Sequence, residues 1–522
     1  MRSVILLVAG AICVAVGLVL RRTGRAAPAE EAMPAMSRTW ESEPERIAFS
    51  SESLSVSRPG LSARTTLTVG QRDGLLAGLV VLVLGLVAEP HWTGLVLIGS
   101  CTVGYASSMA VRLWLYRSSL KGTELVQFSD AELGAAPDEV FKPYTVLVPV
   151  FREPEVMDEL VRHLRLLDYP ADRLQILLLV ESDDLATLSA GRSAIGPVND
   201  IDLVLVPPRG PRTKPKALNY GLTQATGAYV TIFDAEDRPD PLQLRKAALA
   251  FAIRPPSVAC LQAQLAFFNS RQNLVTRWFE VEYSIWFRQM LPGLSKFGAP
   301  VPLGGTSNHF RREILLELGA WDPYNVTEDA DLGARLSRAG FRSEILGSVT
   351  LEEANSDMVN WAKQRSRWYK GYLQTFLVHM RDLRAARKAF GTRQILLFAF
   401  LVGGTPFMAV VNPVFWMLTF LWFVVKPPWL MALYPAPLYF LGLLTWLGGN
   451  FLFTFMNTLE AIEVDDSLFL PALLTPVYWV MMSVSAYKAL LQVFLAPNYW
   501  EKTRHGLTRP TLVSHAPARP SS

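Results

Sequence analysis

The length of the apolar runs changes twice along the chain, and this change limits the fold more than any other feature. Between Tyr144 and about Arg342 the runs are short, at 145–150, 175–180, 202–207 and 229–234. Amphipathic stretches separate them; Val156, Leu160, His163, Leu164 and Leu167 share one face at helical spacing. Short, wholly apolar runs alternating with helices predict βαβ units and a parallel sheet covered on both faces. On either side the runs lengthen to bilayer dimensions, for which a helix needs ~20 apolar residues. The chain therefore reads as an α/β domain inserted between transmembrane helices.

The predicted order is as follows. Residues 1–20 carry an apolar run followed by Arg21, Arg22 and Arg25, which predicts an N-terminal transmembrane helix or signal anchor. Residues 21–72 are rich in Ala, Glu, Ser, Arg and Pro, and read as a poorly ordered cytoplasmic linker. A tight helical hairpin is expected over 73–116, turning at Glu89-Pro90-His91. The α/β domain is placed at 140–356 and amphipathic interface helices at 357–392. About four transmembrane helices are expected over 393–487, with a break at Asn412-Pro413, and a cytoplasmic tail over 488–522. On this count the acidic turn from Glu460 to Asp466 faces away from the domain.

Arg381, Arg384, Arg387, Lys388 and Arg393 crowd the stretch before the C-terminal apolar region, and Arg112 and Arg117 end the hairpin. Basic clusters mark the cytoplasmic flank of a span, so the domain is expected on the cytoplasmic side. Half of the 522 residues are hydrophobic and the net charge is only +4, which argues for a lipid bilayer and against nucleic acid as a partner. Cys13, Cys101 and Cys260 have no metal-ligand spacing and no disulfide framework, and read as plain thiols.

Open parallel sheets bind ligands at the carboxyl ends of their strands, and acidic residues cluster there. Asp234-Ala-Glu236-Asp237 closes one apolar run. Two carboxylates with phosphate oxygens suffice for Mg2+ or Mn2+, although the same residues suit a solvated acidic turn. Glu181-Ser-Asp183-Asp184 follows another run; its acceptors suit a base N–H and ribose hydroxyls, or the cap of the next helix. Lys214, beside a predicted helix start, suits a diphosphate or plain solvent. Thr327-Glu328-Asp329 precedes an amphipathic helix and offers either a proton acceptor for a sugar hydroxyl or an N-terminal cap. Gln364-Arg-Ser-Arg367-Trp368 places an arginine and an indole just before the spans, as a diphosphate and sugar site or as headgroup anchors.

In this order the pieces resemble the membrane-embedded, cellulose-synthase-like branch of the family 2 glycosyltransferases. The similarity covers roughly residues 140–380 in motifs, and 495–503 look like the tail of bacterial exopolysaccharide synthases. It implies a GT-A fold and an inverting transfer in which Asp329, with Glu328 and Thr327, takes the acceptor proton. It implies donor contacts from Phe151 and Glu153 in the first-strand loop and from Glu181, Asp183, Lys214, Asp234, Gln364 and Arg367. Trp368 would border the acceptor sugar, and Asp234 and Glu236 would hold Mg2+ or Mn2+. Glu236 stands where the family more often has aspartate. A UDP-sugar, UDP-glucose by family frequency, is the expected donor and a growing glycan the expected acceptor, in a bacterial inner membrane. Single transfer to a membrane lipid and a non-catalytic transporter or scaffold are the competing readings.

Overall fold

The computed structural model describes residues 40–120, 125–198 and 200–502. Nine strands form one mixed sheet: β1 Leu125–Val126, β2 Tyr144–Val150, β3 Leu174–Glu181, β4 Asp202–Val206, β5 Tyr229–Ile232, β6 Arg238–Pro239, β7 Val258–Phe267, β8 Asn308–Arg311 and β9 Arg342–Glu352. The order is β1-β9-β7-β8-β5-β2-β3-β4, with β6 beside β9. Pairing is parallel except for β8, antiparallel to β5 and β7, and β6, antiparallel to β9. The expected α/β domain, a mostly parallel sheet between long apolar helices, is the one observed.

The sheet is central because its strands are apolar on both faces. Along β2, Val146 and Val148 pack with Met157, Leu160 and Leu164 of one helical layer, whereas Leu147 packs with Leu218 and Leu222 of the other. Strand side chains alternate, so one run supplies two cores. Pro149 lacks a ladder donor, and it falls beyond the pairing of β2 with β5, which ends at Leu147 and Ile232.

Among the described residues, five helices are long and apolar enough to cross a membrane: Val69–Ala88, Pro90–Ser119, Thr392–Val425, Ala436–Val464 and Thr475–Leu495. Thr392–Val425 runs through Asn412-Pro413, where a break was expected, so three long helices replace the expected four. Proline is tolerated inside an apolar helix when neighbours satisfy the freed backbone. Pro413 frees the Ala409 carbonyl, and next to it Tyr487 donates its hydroxyl to the Val410 carbonyl at 2.7 Å.

Both ends of the last long helix touch other parts of the chain. Near its start, Tyr478 meets Glu282 and Arg365; after its end, the Pro497 carbonyl accepts from Gln374. Between them the helix packs on Met358–His379. The expectation that the acidic turn from Glu460 to Asp466 faces away from the domain is corrected by its contacts. Glu460 accepts from Gln289, Glu463 pairs with Arg288 and Asp465 with Arg271, all residues between β7 and β8.

The linker reading of 21–72 needs a second correction. Glu43–Ser57 is a helix that packs on the Lys214–Leu222 helix and buries Phe49 and Leu54. The Asn219 amide donates to the Ser50 carbonyl at 3.2 Å, and the Ala63 N–H donates to Asp322 at 2.6 Å. Few apolar residues in a charged segment gave no pattern, yet those few suffice to dock it. The expected span at 1–20, the linker as far as Thr39 and the tail beyond Lys502 lie outside the described residues.

Candidate active site

Parallel strands deliver their last residues to one edge of the sheet. Phe151 follows β2, Glu181 ends β3, Asp234 and Glu236 follow β5, and Glu352 ends β9. Helix starts bring the rest: Lys214 opens Lys214–Leu222, and Thr327 precedes Glu328–Arg338. From the interface helix Met358–His379 come Gln364, Arg367 and Trp368. These side chains and Glu153, Glu328 and Asp329 line one cavity of about 640 Å³. It reaches from the sheet edge to Arg112, Asn412 and Asn450 among the long apolar helices.

Charge is tightly organised at the sheet edge. Lys214 Nζ pairs with Asp234 and donates to the Gly305 carbonyl at 2.7 Å. Burial alone would lower the Lys214 pKa, but Asp234, Glu328 and Asp329 around it raise it instead. Asp237 accepts the Asp234 N–H at 2.7 Å and the Thr306 hydroxyl. Burial first, and then Asp234 and Glu236, push the Asp237 carboxyl well up, and its Oδ1 is buried without a hydrogen-bond partner. Glu352 is pushed up in the same way, by burial and by Asp237.

Glu328 and Asp329 share the first turn of the helix Glu328–Arg338. Asp329 Oδ1 accepts the N–H of Ala330 at 2.6 Å at the helix start. Its carboxyl is raised by burial, with Ala330, Lys214 and Arg367 opposing the rise. Glu328 is raised by burial and by Asp329. Two adjacent acids resisting ionisation, both under the influence of Lys214 and Arg367, suit a base that works near neutral pH.

Unpartnered buried atoms gather around the same space: Thr327 Oγ1, Gln364 Oε1, Arg367 Nε and Asn355 Oδ1. A buried polar atom without a partner costs about 1–3 kcal/mol, so their convergence on one cavity points to a polar ligand. Among the described residues no three His, Cys, Asp or Glu side chains form a ready metal cage. Asp234, Glu236 and the orphaned Asp237 oxygen nevertheless fit a cation that takes one or two carboxylates and completes its shell with phosphate.

Not every predicted residue arrives. Asp183 pairs at 2.6 Å with Arg212 and is absent from the cavity wall, which Arg212 joins instead. Asp184 caps Leu185–Ile195 and accepts the Arg152 N–H at 2.5 Å. Of the acidic run, only Glu181 faces the cavity, where it pairs with Lys216 at 3.0 Å. Sequence reasoning passed over Glu352, Trp500 and Lys502. Glu352 had a signal, since it ends an apolar run as Glu181 does. Trp500 lies under the Arg367 guanidinium at 4.9 Å, and Lys502 donates to the Phe151 carbonyl at 2.6 Å. Contacts across more than a hundred positions of chain leave no local pattern.

The interface helix approaches the Thr327 loop at Gly371. A Cβ there would lie 2.3 Å from Thr327 Oγ1 and 2.7 Å from its Cβ. Gly371→Ala gains up to ~1 kcal/mol of helix propensity but overpacks a buried contact at ~1–3 kcal/mol. The expected result is a lower melting temperature together with reduced turnover, read by thermal denaturation and activity on the same preparation.

Residues 229–456 match the family described as glycosyl transferase family group 2. The chain is similar to the probable glycosyltransferase YdaM of Bacillus subtilis (strain 168), 26% identical over 230 residues, 44% of this chain and 54% of that protein. It is also similar to glucomannan 4-beta-mannosyltransferase 1 of Oryza sativa subsp. japonica, 29% identical over 256 residues, 47% of this chain and 48% of that one. The chain thus spans about half the length of the curated relatives it matches. Among solved structures it is similar to the mannosyltransferase PcManGT from Pyrobaculum calidifontis in complex with GDP-Man and Mn2+, at TM-score 0.48 and 21% identity, covering 76% of this chain and 98% of that one. Within the fold described above, the segment 229–456 is therefore similar to glycosyltransferases of family group 2.

Proposed function

We propose that the protein transfers a sugar, with inversion, from a nucleotide-sugar to a growing glycan at the inner face of a bacterial plasma membrane. The observation that supports this most is the single cavity joining the strand-end carboxylates to the long apolar helices. In this reading the acceptor hydroxyl attacks the anomeric carbon while Asp329 takes its proton. The bond from that carbon to the diphosphate oxygen breaks with its electron pair, and the nucleoside diphosphate leaves. Lys214 and Arg367 balance the charge of the leaving group, Glu181 and Phe151 border the nucleoside, and Trp368 borders the acceptor ring. Asp234 and Glu236, with Asp237 behind them, would hold Mg2+ or Mn2+. When bound, such a cation supplies positive charge against the diphosphate.

A mannosyl donor stands beside UDP-glucose, because a relative is named as a mannosyltransferase. Single transfer to a membrane lipid is the second reading, supported by the opening of the cavity among apolar helices. A binding-only transporter leaves the company of Asp329, Lys214 and Arg367 in one cavity without a purpose. Membranes containing the protein, offered radiolabelled UDP-glucose and GDP-mannose among other donors, are expected to yield labelled polymer with one of them. Label confined to the lipid extract would favour the second reading, and no incorporation from any donor would refute both. Chelation by EDTA should abolish incorporation and Mg2+ or Mn2+ restore it; full activity under EDTA would remove the metal role of Asp234 and Glu236.

A further inference from the structure

Arg112 is a cation with no ion-paired carboxylate of its own among the described residues. It sits in the long apolar helix Pro90–Ser119, seven residues before its end, and lines the membrane side of the cavity. Ionisable residues in such helices are expensive and as a rule face a cavity or partner. Arg112 donates from Nη2 to the Thr405 hydroxyl at 2.6 Å, whereas its Nε is buried with no partner among the described residues. The carboxylate nearest in influence is Glu282, already held by both terminal nitrogens of Arg365, at 2.7 and 2.5 Å, and by the Tyr478 hydroxyl at 2.9 Å. The other neighbours are neutral phenols, Tyr105, Tyr369 and Tyr372. Tyr372 and the proposed base Asp329 line the same cavity as Arg112.

We infer that Arg112 binds an oxyanion carried by the acceptor close to the end that receives the new sugar. The inference rests on the transfer reading above and specifies its acceptor. A neutral glycan would be served by the amides and hydroxyls that line this region, such as Asn412 and Asn450, and would leave a desolvated guanidinium unmatched. A planar, permanently charged fork suits a carboxylate or phosphate. The anion has two possible sources: the phosphate of a lipid carrier, or the carboxylate of an acidic sugar.

The test uses the full-length protein in vesicles with its preferred nucleotide-sugar and three acceptors: a neutral oligosaccharide, a uronate-containing oligosaccharide and a polyprenyl phosphate. For the wild type, kcat/KM on one of the anionic acceptors is expected to exceed that on the neutral one by on the order of 10–100-fold, the scale of a charge-assisted hydrogen bond. Preference for polyprenyl phosphate alone identifies the lipid source, and preference for the uronate the glycan source. Arg112→Gln should shrink the preference to within about twofold, mainly through acceptor KM, and Arg112→Lys should keep part of it. If Arg112→Gln is inert on all acceptors, Arg112→Lys decides, since loss of the preference with a charge still present overturns the assignment. A wild type indifferent to acceptor charge, or an Arg112→Gln enzyme with undiminished preference, also overturns it. Failure of the underlying reading looks different: the wild type then turns over no nucleotide-sugar at all.

Discussion

Asp329→Asn is expected to lower sugar transfer by on the order of 10³-fold, within the 10²–10⁴ range that a positioned general base contributes. Asparagine keeps the size of the side chain, and its amide oxygen can still accept the Ala330 N–H that now fixes Asp329 at 2.6 Å. What it lacks is an electron pair basic enough to take a hydroxyl proton. Donor affinity should therefore change little, because Lys214, Arg367 and Glu181 are untouched. The pH profile offers a sharper check. Burial raises the Asp329 carboxyl above its ordinary value, and Lys214 and Arg367 do not fully offset the rise. The base is active only when deprotonated, so wild-type transfer should rise with pH along an acid limb centred above ~4, the usual carboxylate position. In Asp329→Asn that limb should vanish from the residual rate. An unchanged kcat, or a limb that survives the substitution, would remove Asp329 from the chemistry.

Much of this site was legible because strand ends are marked in sequence. A run such as 229–234 is apolar on both faces, so it belongs in the sheet centre, and the acids that follow it must sit at the ligand edge. Glu181 and Asp234 were found by that logic, and Glu352 obeys it equally at the end of β9. Side-chain pairing was not legible. Asp183 and Glu181 are two residues apart, yet one meets Arg212 at the surface and the other Lys216 in the interior. Only the tertiary position of the lysine-bearing helix decides between them.

The membrane half was legible in length but not in direction. Hydropathy locates apolar helices, and a proline such as Pro413 suggests a break, but an apolar helix can run on through a proline, as Thr392–Val425 does. Whether a helix crosses the bilayer or lies beside the domain depends on what its ends touch. For Thr475–Leu495 those contacts are with Arg365 and Gln374, more than a hundred positions away. The same distance hides Trp500 and Lys502. Their approach to the cavity follows from how the last long helix packs on Met358–His379, a property of packing and not of local pattern.

Arg367→Ala is expected to lower kcat by roughly 10²–10³-fold, the loss found when one preorganised charge-stabilising donor is removed from a transition state. Arg367 lies over the Trp500 ring at 4.9 Å, with Nε buried and unpartnered, and it faces Glu328, Asp329, Asp234 and Glu236. An arginine so placed has charge to give to a leaving diphosphate. Arg367→Lys should recover only part of the loss, because an ammonium cannot present two parallel N–H groups to phosphate oxygens or spread over an indole face. The substitution also carries an electrostatic signature that misfolding would not produce. Arg367 now holds the Asp329 pKa down against burial. Without it that pKa rises further, so the acid limb of the residual activity should move to higher pH in Arg367→Ala and stay near its wild-type position in Arg367→Lys. A reduced rate with an unmoved limb in the alanine variant would mean that Arg367 acts at a distance from Asp329, and the two halves of the proposed site would have to be assigned to different ligands.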